Sequence, residues 1–486
     1  MYRNQYLVTT KNQSNFHNIK PVQFLNGLYI YSGFPLSTSS AQDFSTEVYL
    51  IGYILNPLKP ADSNDDIVTA LAKNCKTQEL FLKDIQALSG RYILFYKNET
   101  SFIVVGDACC LRQCYFKLSE GDTILTSSPK MFLDFYDYEL QINPLKRDLI
   151  NLPQYKKNES LWYGDKCIDD RLGKLLPNHY LDLNKKELKR LDLYTNILDE
   201  KDIIDYAASI LKGTFAALVN RYNLVQALTA GWDSRILLAA SKEVKDNIRF
   251  YVFNMWDDLK SPDVWVPNKL SKPLDLRFEI IKPSQLRNDF LSLYNEEHIF
   301  PRFLPKTANI QYHYDSNTSP NLINVNGNGA EIARCFYGYT SKKISLEMLL
   351  SFSEYPQENE FVKMELKEWL IDATEYLKKF DIPVFDLFYW EQRMGNWGAL
   401  TPFEQDIAIE EISPFNNRSL IATLLKVHPS KRSSPDYNLF RKLIQALWAD
   451  TLMEPINPGE NRLKKIIKGN TLMMYYALKG KTFFIK

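Results

Sequence analysis

The sequence predicts a two-domain α/β protein, with a β-rich first part over residues 1–195 and a parallel-sheet part over residues 196–486 that ends in helices. Three observations lead there. Residues 47–55, 91–96, 102–105 and 123–126 are short runs of strand composition bounded by Gly, Asn and Asp. Residues 224–228 form a strand-length apolar run that turns through small residues into an Ala-rich helix, and strand-like and helical segments then alternate to about residue 325. Beyond about residue 340 the apolar residues recur at helical spacing. At 486 residues the chain is too long for a single core.

Composition narrows the function classes. Hydrophobic content of 45% and charged content of 24% are those of an ordinary globular protein. Lys+Arg 59 against Asp+Glu 58 leaves no net charge to attract nucleic acid or a membrane surface. No apolar run approaches the ~20 residues of a membrane span, and the N-terminal residues lack an apolar signal core. Six scattered cysteines make no disulfide framework, so a cytoplasmic location is expected. Cys109, Cys110 and Cys114 lack paired metal-site spacing and are expected to be reduced and structural. The five histidines lie far apart, which weakens zinc or Ser–His chemistry.

In order along the chain, residues 66–88 carry apolar residues at helical spacing and stop at Ser89-Gly90. Residues 199–222 read as a helix, with Ile204, Ala207, Leu211, Phe215 and Leu218 on one face and Asp199 as its cap. The domain boundary falls just before it, within 187–199. Residues 249–254 and 276–281 are the next strands, separated by a helix that begins near Ser261-Pro262-Asp263. Residues 324–331 end a strand in a Gly-rich turn, too short of glycines for a dinucleotide fingerprint. Helices are expected over 346–352, 361–380, 384–394 and 437–448.

The turn after residue 228 draws most of the chemistry. A strand that turns sharply into a helix N-terminus offers unpaired N–H groups and the positive end of the helix dipole to an anion. Small residues at Thr229, Ala230 and Gly231 let a polyphosphate approach, and Asp233 can hold a divalent cation. Arg235 lies in the first helical turn, where a cation is disfavoured unless an anion is near. Trp232 either narrows a substrate space or packs on a neighbouring helix.

Thr229-Ala230-Gly231-Trp232-Asp233-Ser234 resembles the pyrophosphate loop of the asparagine synthetase family, usually Ser-Gly-Gly-x-Asp-Ser. Ser261-Pro262-Asp263, the loop Gly327-Asn328-Gly329-Ala330-Glu331 and Ser413-Pro414-Phe415 resemble further motifs of that family in the same order. The segments 90–94, 106–116, 126–132 and 176–183 resemble its N-terminal amidotransferase domain. The resemblance implies an Ntn-hydrolase-like αββα domain followed by an adenine nucleotide α-hydrolase-like (PP-loop) domain. It implies ATP and Mg²⁺ as cofactors, with Asp233 and Glu331 on the metal and Lys464 neutralising phosphate charge. It places Leu228, Thr229, Gly231, Asp233, Ser234, Arg235, Val252, Phe253 and Gly327 around the nucleotide.

There are departures from the family pattern. Tyr2 stands where glutamine-hydrolysing members carry the nucleophilic Cys, so no glutaminase activity is expected. Asn328 replaces an acidic residue, and Ile332 replaces a final Glu. The resemblance implies an AMP-forming carbon–nitrogen ligase acting on a small-molecule or peptide carboxylate, with ammonia or an amine as donor, and leaves room for a homodimer. Amidation of a small or sugar-linked carboxylate, macrolactam or peptide-bond closure, and a nucleotide-binding scaffold without turnover all stay open.

Overall fold

A computed structural model describes residues 2–14, 16–119, 121–195, 199–317 and 319–484. The first part is built on two antiparallel sheets of six strands each. One runs, edge to edge, Gly173–Lys174, Tyr115–Ser119, Asp122–Thr126, Tyr6–Thr9, Leu28–Ser32 and Val22–Phe24. The other runs Glu187–Arg190, His179–Asp182, Phe102–Gly106, Ser89–Lys97, Thr46–Leu55 and Thr38–Asp43. Along Thr46–Leu55, Val48 and Leu50 point to one side and Tyr49 and Ile51 to the other, as the period-two pleat requires.

Both sides are covered, which is why the strand reads as an unbroken apolar run. Tyr49 and Ile51 meet Tyr6, Val8 and Ile30 of the first sheet. Val48 and Leu50 meet Ile67, Leu71 and Phe81 from helices Asn64–Asn74 and Gln78–Asp84. The outer face of the first sheet takes Met131, Phe132 and Phe135 of helix Pro129–Tyr136. The layers are therefore helix, sheet, sheet, helix. The helical stretch expected over 66–88 is two helices because Thr77 caps the second one at Leu80 N–H.

The second part holds a five-stranded parallel sheet in the order Phe278–Ile281, Ile248–Phe253, Asn223–Ala227, Leu322–Val325, Glu410–Ile412. The chain starts in the middle, winds outward to one edge, then returns to the other. The crevice between the carboxyl ends of Asn223–Ala227 and Leu322–Val325 is thus the switch point at which such sheets bind ligands. Leu224, Phe250, Ile323 and Val325 pack with helices Glu200–Val219 and Asn438–Trp448 on one side. Val225, Tyr251 and Ile281 pack with Phe290 and Tyr294 of helix Asn288–Glu297 on the other.

Asp199 caps helix Glu200–Val219 by accepting from Lys201 and Asp202 N–H, while 196–198, where the domain boundary was expected, lie outside the described residues. The helix expected over 384–394 is α-helical only over Val384–Phe388, then widens into a π-helix over Tyr389–Gly398. No helix among the described residues is long and apolar enough to cross a membrane.

The two parts meet through buried polar contacts. Arg91 donates to Asp406 at 2.5 and 2.7 Å and to Glu410 at 2.8 Å, and Arg112 donates to Glu410 at 2.9 Å. All four side chains are buried. Burial and the Glu410 charge push Asp406 up to about 6, while the two guanidiniums hold Glu410 below its ordinary value against the opposing effect of burial. Asn416 adds donations to Gly90 O at 2.6 Å and Asp107 Oδ1 at 2.9 Å.

Candidate functional site

The strand Asn223–Ala227 continues to Leu228, whose N–H donates to Tyr251 O at 2.8 Å. The turn that follows is held largely by its own side chains. Thr229 N–H donates to Ser234 Oγ at 3.2 Å, and Gly231 N–H donates to Thr229 Oγ1 at 3.4 Å. Ala230 N–H donates to Asp263 Oδ1 at 3.1 Å, which brings in the Ser261-Pro262-Asp263 segment. Hydroxyls and one carboxylate thus satisfy the N–H groups of Thr229, Ala230 and Gly231, which were expected to be unpaired. Gly231 offers the helix Trp232–Ala240 no side-chain cap, so the dipole end itself stays open. A Cβ on Gly231 would meet only Thr229 Oγ1 at 3.6 Å and Asn457 Oδ1 at 3.9 Å.

Asp233 and Glu331 lie in the first turns of the helices that follow the two strands flanking the switch point, and the structure brings them onto one guanidinium. Arg334 Nη2 lies 2.9 Å from Asp233 Oδ2 and 3.6 Å from Glu331 Oε1. Gly327 makes this approach feasible, since a Cβ there would sit 2.7 Å from Asp233 Cβ. Gly329, at φ +93°, turns the loop so that its N–H donates to Glu331 Oε2 at 3.1 Å. Asp233 Oδ1 is buried and has no hydrogen-bond partner among the described residues. Burial pushes Asp233 up, opposed by Arg334, and burial together with the Asp233 charge pushes Glu331 up to about 7.

The orphaned Asp233 oxygen could take a cation, but Arg334 already supplies the positive charge between the two carboxylates. No group of three or more His, Cys, Asp or Glu suited to a metal gathers among the described residues. Asp233 and Glu331, the two carboxylates expected to share Mg²⁺, thus meet at one place, with Arg334 reaching both and Asp233 Oδ1 left without a partner among the described residues.

Other expected residues lie elsewhere. Arg235 is fully buried and donates to Thr451 O at 2.6 Å, Glu454 O at 2.8 Å and Pro455 O at 3.3 Å. It fastens the 451–455 loop and is not placed to touch a phosphate. Lys464 is exposed on helix Arg462–Lys468, and its neighbour Lys465 lines a cavity of about 240 Å³ beside Trp232. Trp232 packs on Tyr437 with ring centroids 5.3 Å apart and also lines that cavity. Val252 is buried within its strand, and the Phe253 ring packs against Tyr312 and His313, each at 5.6 Å. Tyr2 is buried, its N–H donating to Glu297 Oε1 at 2.9 Å and its hydroxyl to Asp134. The three neighbouring cysteines are free thiols, all buried.

One group beside the site escaped the sequence reading. Glu411, buried on the edge strand, accepts from Asn324 at 3.2 Å, from Asn328 at 3.5 Å, and from Asn326 and Gln405. Burial pushes its carboxyl up to about 7. The signal was present in the spacing: Asn324, Asn326 and Asn328 alternate along one strand and its exit, so their side chains share a face.

No family model matches the chain, and no curated protein matches it. Solved structures similar to it include glutamine phosphoribosylpyrophosphate amidotransferase from B. subtilis complexed with ADP and GMP, at 9% identity and TM-score 0.24, over 68% of this chain and 71% of that one. A second is glutamine-dependent NAD+ synthetase from Acinetobacter baumannii in complex with ADP, at 14% identity and TM-score 0.22, over 46% and 44%. A third is NH3-dependent NAD synthetase from Campylobacter jejuni, at 12% identity and TM-score 0.22, over 42% and 96%. At these TM-scores the likenesses determine neither fold nor function.

Proposed function

We propose that the chain is an ATP-dependent carbon–nitrogen ligase that activates a carboxylate and passes the acyl group to ammonia or an amine. The observation that supports this reading is the meeting of Asp233, Glu331 and Arg334 beside an uncapped helix N-terminus at the switch point of the parallel sheet. The reaction forms a bond from a carboxylate oxygen to the α-phosphorus and breaks the bond to pyrophosphate. Nitrogen then attacks the acyl carbon, AMP leaves with the bonding electrons, and the nitrogen gives up a proton.

What the residues contribute is charge and proton transfer. The triphosphate tail lies over the turn at Thr229–Ser234, where the helix dipole favours negative charge. Arg334 exchanges its carboxylate partners for phosphate oxygens, for which a guanidinium is suited. Glu331, which burial and the Asp233 charge push up to about 7 beside Arg334, accepts the proton from the attacking nitrogen. Glutamine is not the nitrogen source, because Tyr2 supplies no thiol and its phenol is buried and hydrogen-bonded. Of the two substrate classes, a small or sugar-linked carboxylate is favoured by the form of the Gly327–Glu331 loop, and ring closure of a peptide is the alternative. The protein would work in the cytoplasm.

A second reading, a nucleotide-binding scaffold without turnover, is favoured by Arg334 standing where a metal-dependent enzyme needs its cation. One assay separates the two. Incubation with ATP and a panel of carboxylates and amines is expected to release pyrophosphate and AMP, and Asp233→Ala to lower that release at least about 100-fold with the fold intact. ATP binding with no pyrophosphate from any substrate supports the scaffold, and an Asp233→Ala rate equal to wild type removes this site from the chemistry.

A further inference from the structure

Between the two parts lies a cavity of about 120 Å³, lined by none of the residues that form the switch-point crevice. Its walls include Trp162, Tyr155, Ile299, Leu400 and Phe403, and Lys174 projects among them. Lys174 sits on the two-residue strand paired with Tyr115–Ser119, which fixes its backbone beside Tyr115. Its side chain is 4% exposed, and its ammonium has no hydrogen bond or ion pair among the described residues. Among the described residues its ammonium is met by the Tyr115 ring, with Nζ 5.4 Å from the ring centroid. A buried, unpaired ammonium is a costly arrangement for a folded chain to keep.

The neighbouring charges do not resolve that cost. Glu404 lines the cavity, but both its oxygens accept from Arg302, at 2.8 and 2.6 Å. Arg302 is itself 4% exposed, and its Nη1 has no hydrogen-bond partner among the described residues. Its closest further acid is Glu159, 3.9 Å away. Lys130 and Lys166, also in the wall, are paired with Asp134 and Asp165. His298 adds no charge: burial holds it below its ordinary value, and its Nδ1 donates to Tyr294 O at 2.8 Å. Arg302 is thus taken up by Glu404 and Glu159, and the cavity presents one unfilled cationic donor, Lys174 Nζ, within largely apolar walls.

We propose that this cavity is a binding site for a small organic carboxylate with an apolar body, its carboxylate held by Lys174 and its body against Trp162 and Phe403. An apolar protein cavity of roughly 150 Å³ accepts benzene, so at about 120 Å³ this one limits the apolar body to a single small ring or a short chain. Burial lowers Lys174 only to about 8, so it is still a cation at neutral pH and attracts a carboxylate there. This site stands independently of the nucleotide reading.

Benzoate is the probe, titrated into the full chain at pH 7 by calorimetry and by the fluorescence of its tryptophans, with benzamide and inorganic phosphate as controls. Benzoate is expected to bind, benzamide and phosphate at least tenfold more weakly, and Lys174→Met to weaken benzoate at least tenfold. The thermal midpoint of Lys174→Met is expected to equal or exceed that of the wild type, because the substitution removes an uncompensated buried charge. Benzamide binding as tightly as benzoate, phosphate alone binding as tightly, no benzoate binding to the wild type, or unchanged affinity in the variant would each overturn the proposal.

Discussion

Arg334 and Glu411 show how single side chains set the character of the crevice. With Arg334 between Asp233 and Glu331, the pair is neutralised from within, so wild-type protein without nucleotide is expected to show no heat of Mg²⁺ binding in calorimetry. Arg334→Met leaves two carboxylates facing one another and is expected to gain that binding; a variant equally inert to Mg²⁺ would show that the guanidinium is not what keeps the metal out. Glu411 makes a prediction about pH. Its carboxyl is raised from 4.5 to about 7 in the folded chain, so the folded state holds the proton more tightly than the unfolded state. Its stabilising effect is complete below about pH 4.5 and lost as pH rises through about 7, on the order of 3 kcal/mol in all. Glu411→Gln carries no titrating group and is expected to flatten that part of the stability–pH curve, as denaturant midpoints between pH 4.5 and 8 can measure.

At the scale of elements, two glycines of the crevice separate by what surrounds them. Gly327→Ala would put a methyl 2.7 Å from Asp233 Cβ, so the loop must move, at about 1–3 kcal/mol in stability. Gly231→Ala meets nothing closer than 3.6 Å at an ordinary φ of −76°, and its melting temperature is expected to match the wild type. A Gly327→Ala protein as stable as Gly231→Ala would contradict the described packing. These elements were largely legible in the sequence. The strands over 47–55 and 91–96 were visible because each buries both faces, and the helix after residue 199 because its apolar residues hold one stripe. The Asp233 turn was legible from its small residues. Its filling by Thr229, Ser234 and Asp263 was not, because a hydroxyl or carboxylate that could bind a ligand can equally bind its own backbone. Arg334 was missed for a related reason: it follows a four-residue helix, Ala330–Ala333, too short to show a face. Arg235, in the first turn of a longer helix, was expected to contact an anion, and instead the carbonyls of the 451–455 loop take up its guanidinium.

Across the whole molecule, the joint between the parts rests on charges more than 290 residues apart in sequence, which no local pattern reveals. Arg91 and Arg112 come from the antiparallel layers, Asp406 and Glu410 from the parallel half. Arg91→Met takes from buried Asp406 its bidentate partner and leaves Glu410 to Arg112 alone, and is expected to destabilise the protein by about 3–5 kcal/mol, read from denaturant unfolding. A loss under about 1 kcal/mol would mean that water or Arg112 alone satisfies them.

Cys109, in the first half, has its sulfur 3.4 Å from where a side chain on Gly329 would begin, and Asn416 accepts from Cys109 N–H at 2.8 Å. The loop that carries Glu331 is thus braced from across the joint. The leading half would serve as a buttress, and a truncated protein starting at the second half should lose the alignment of its crevice along with its solubility.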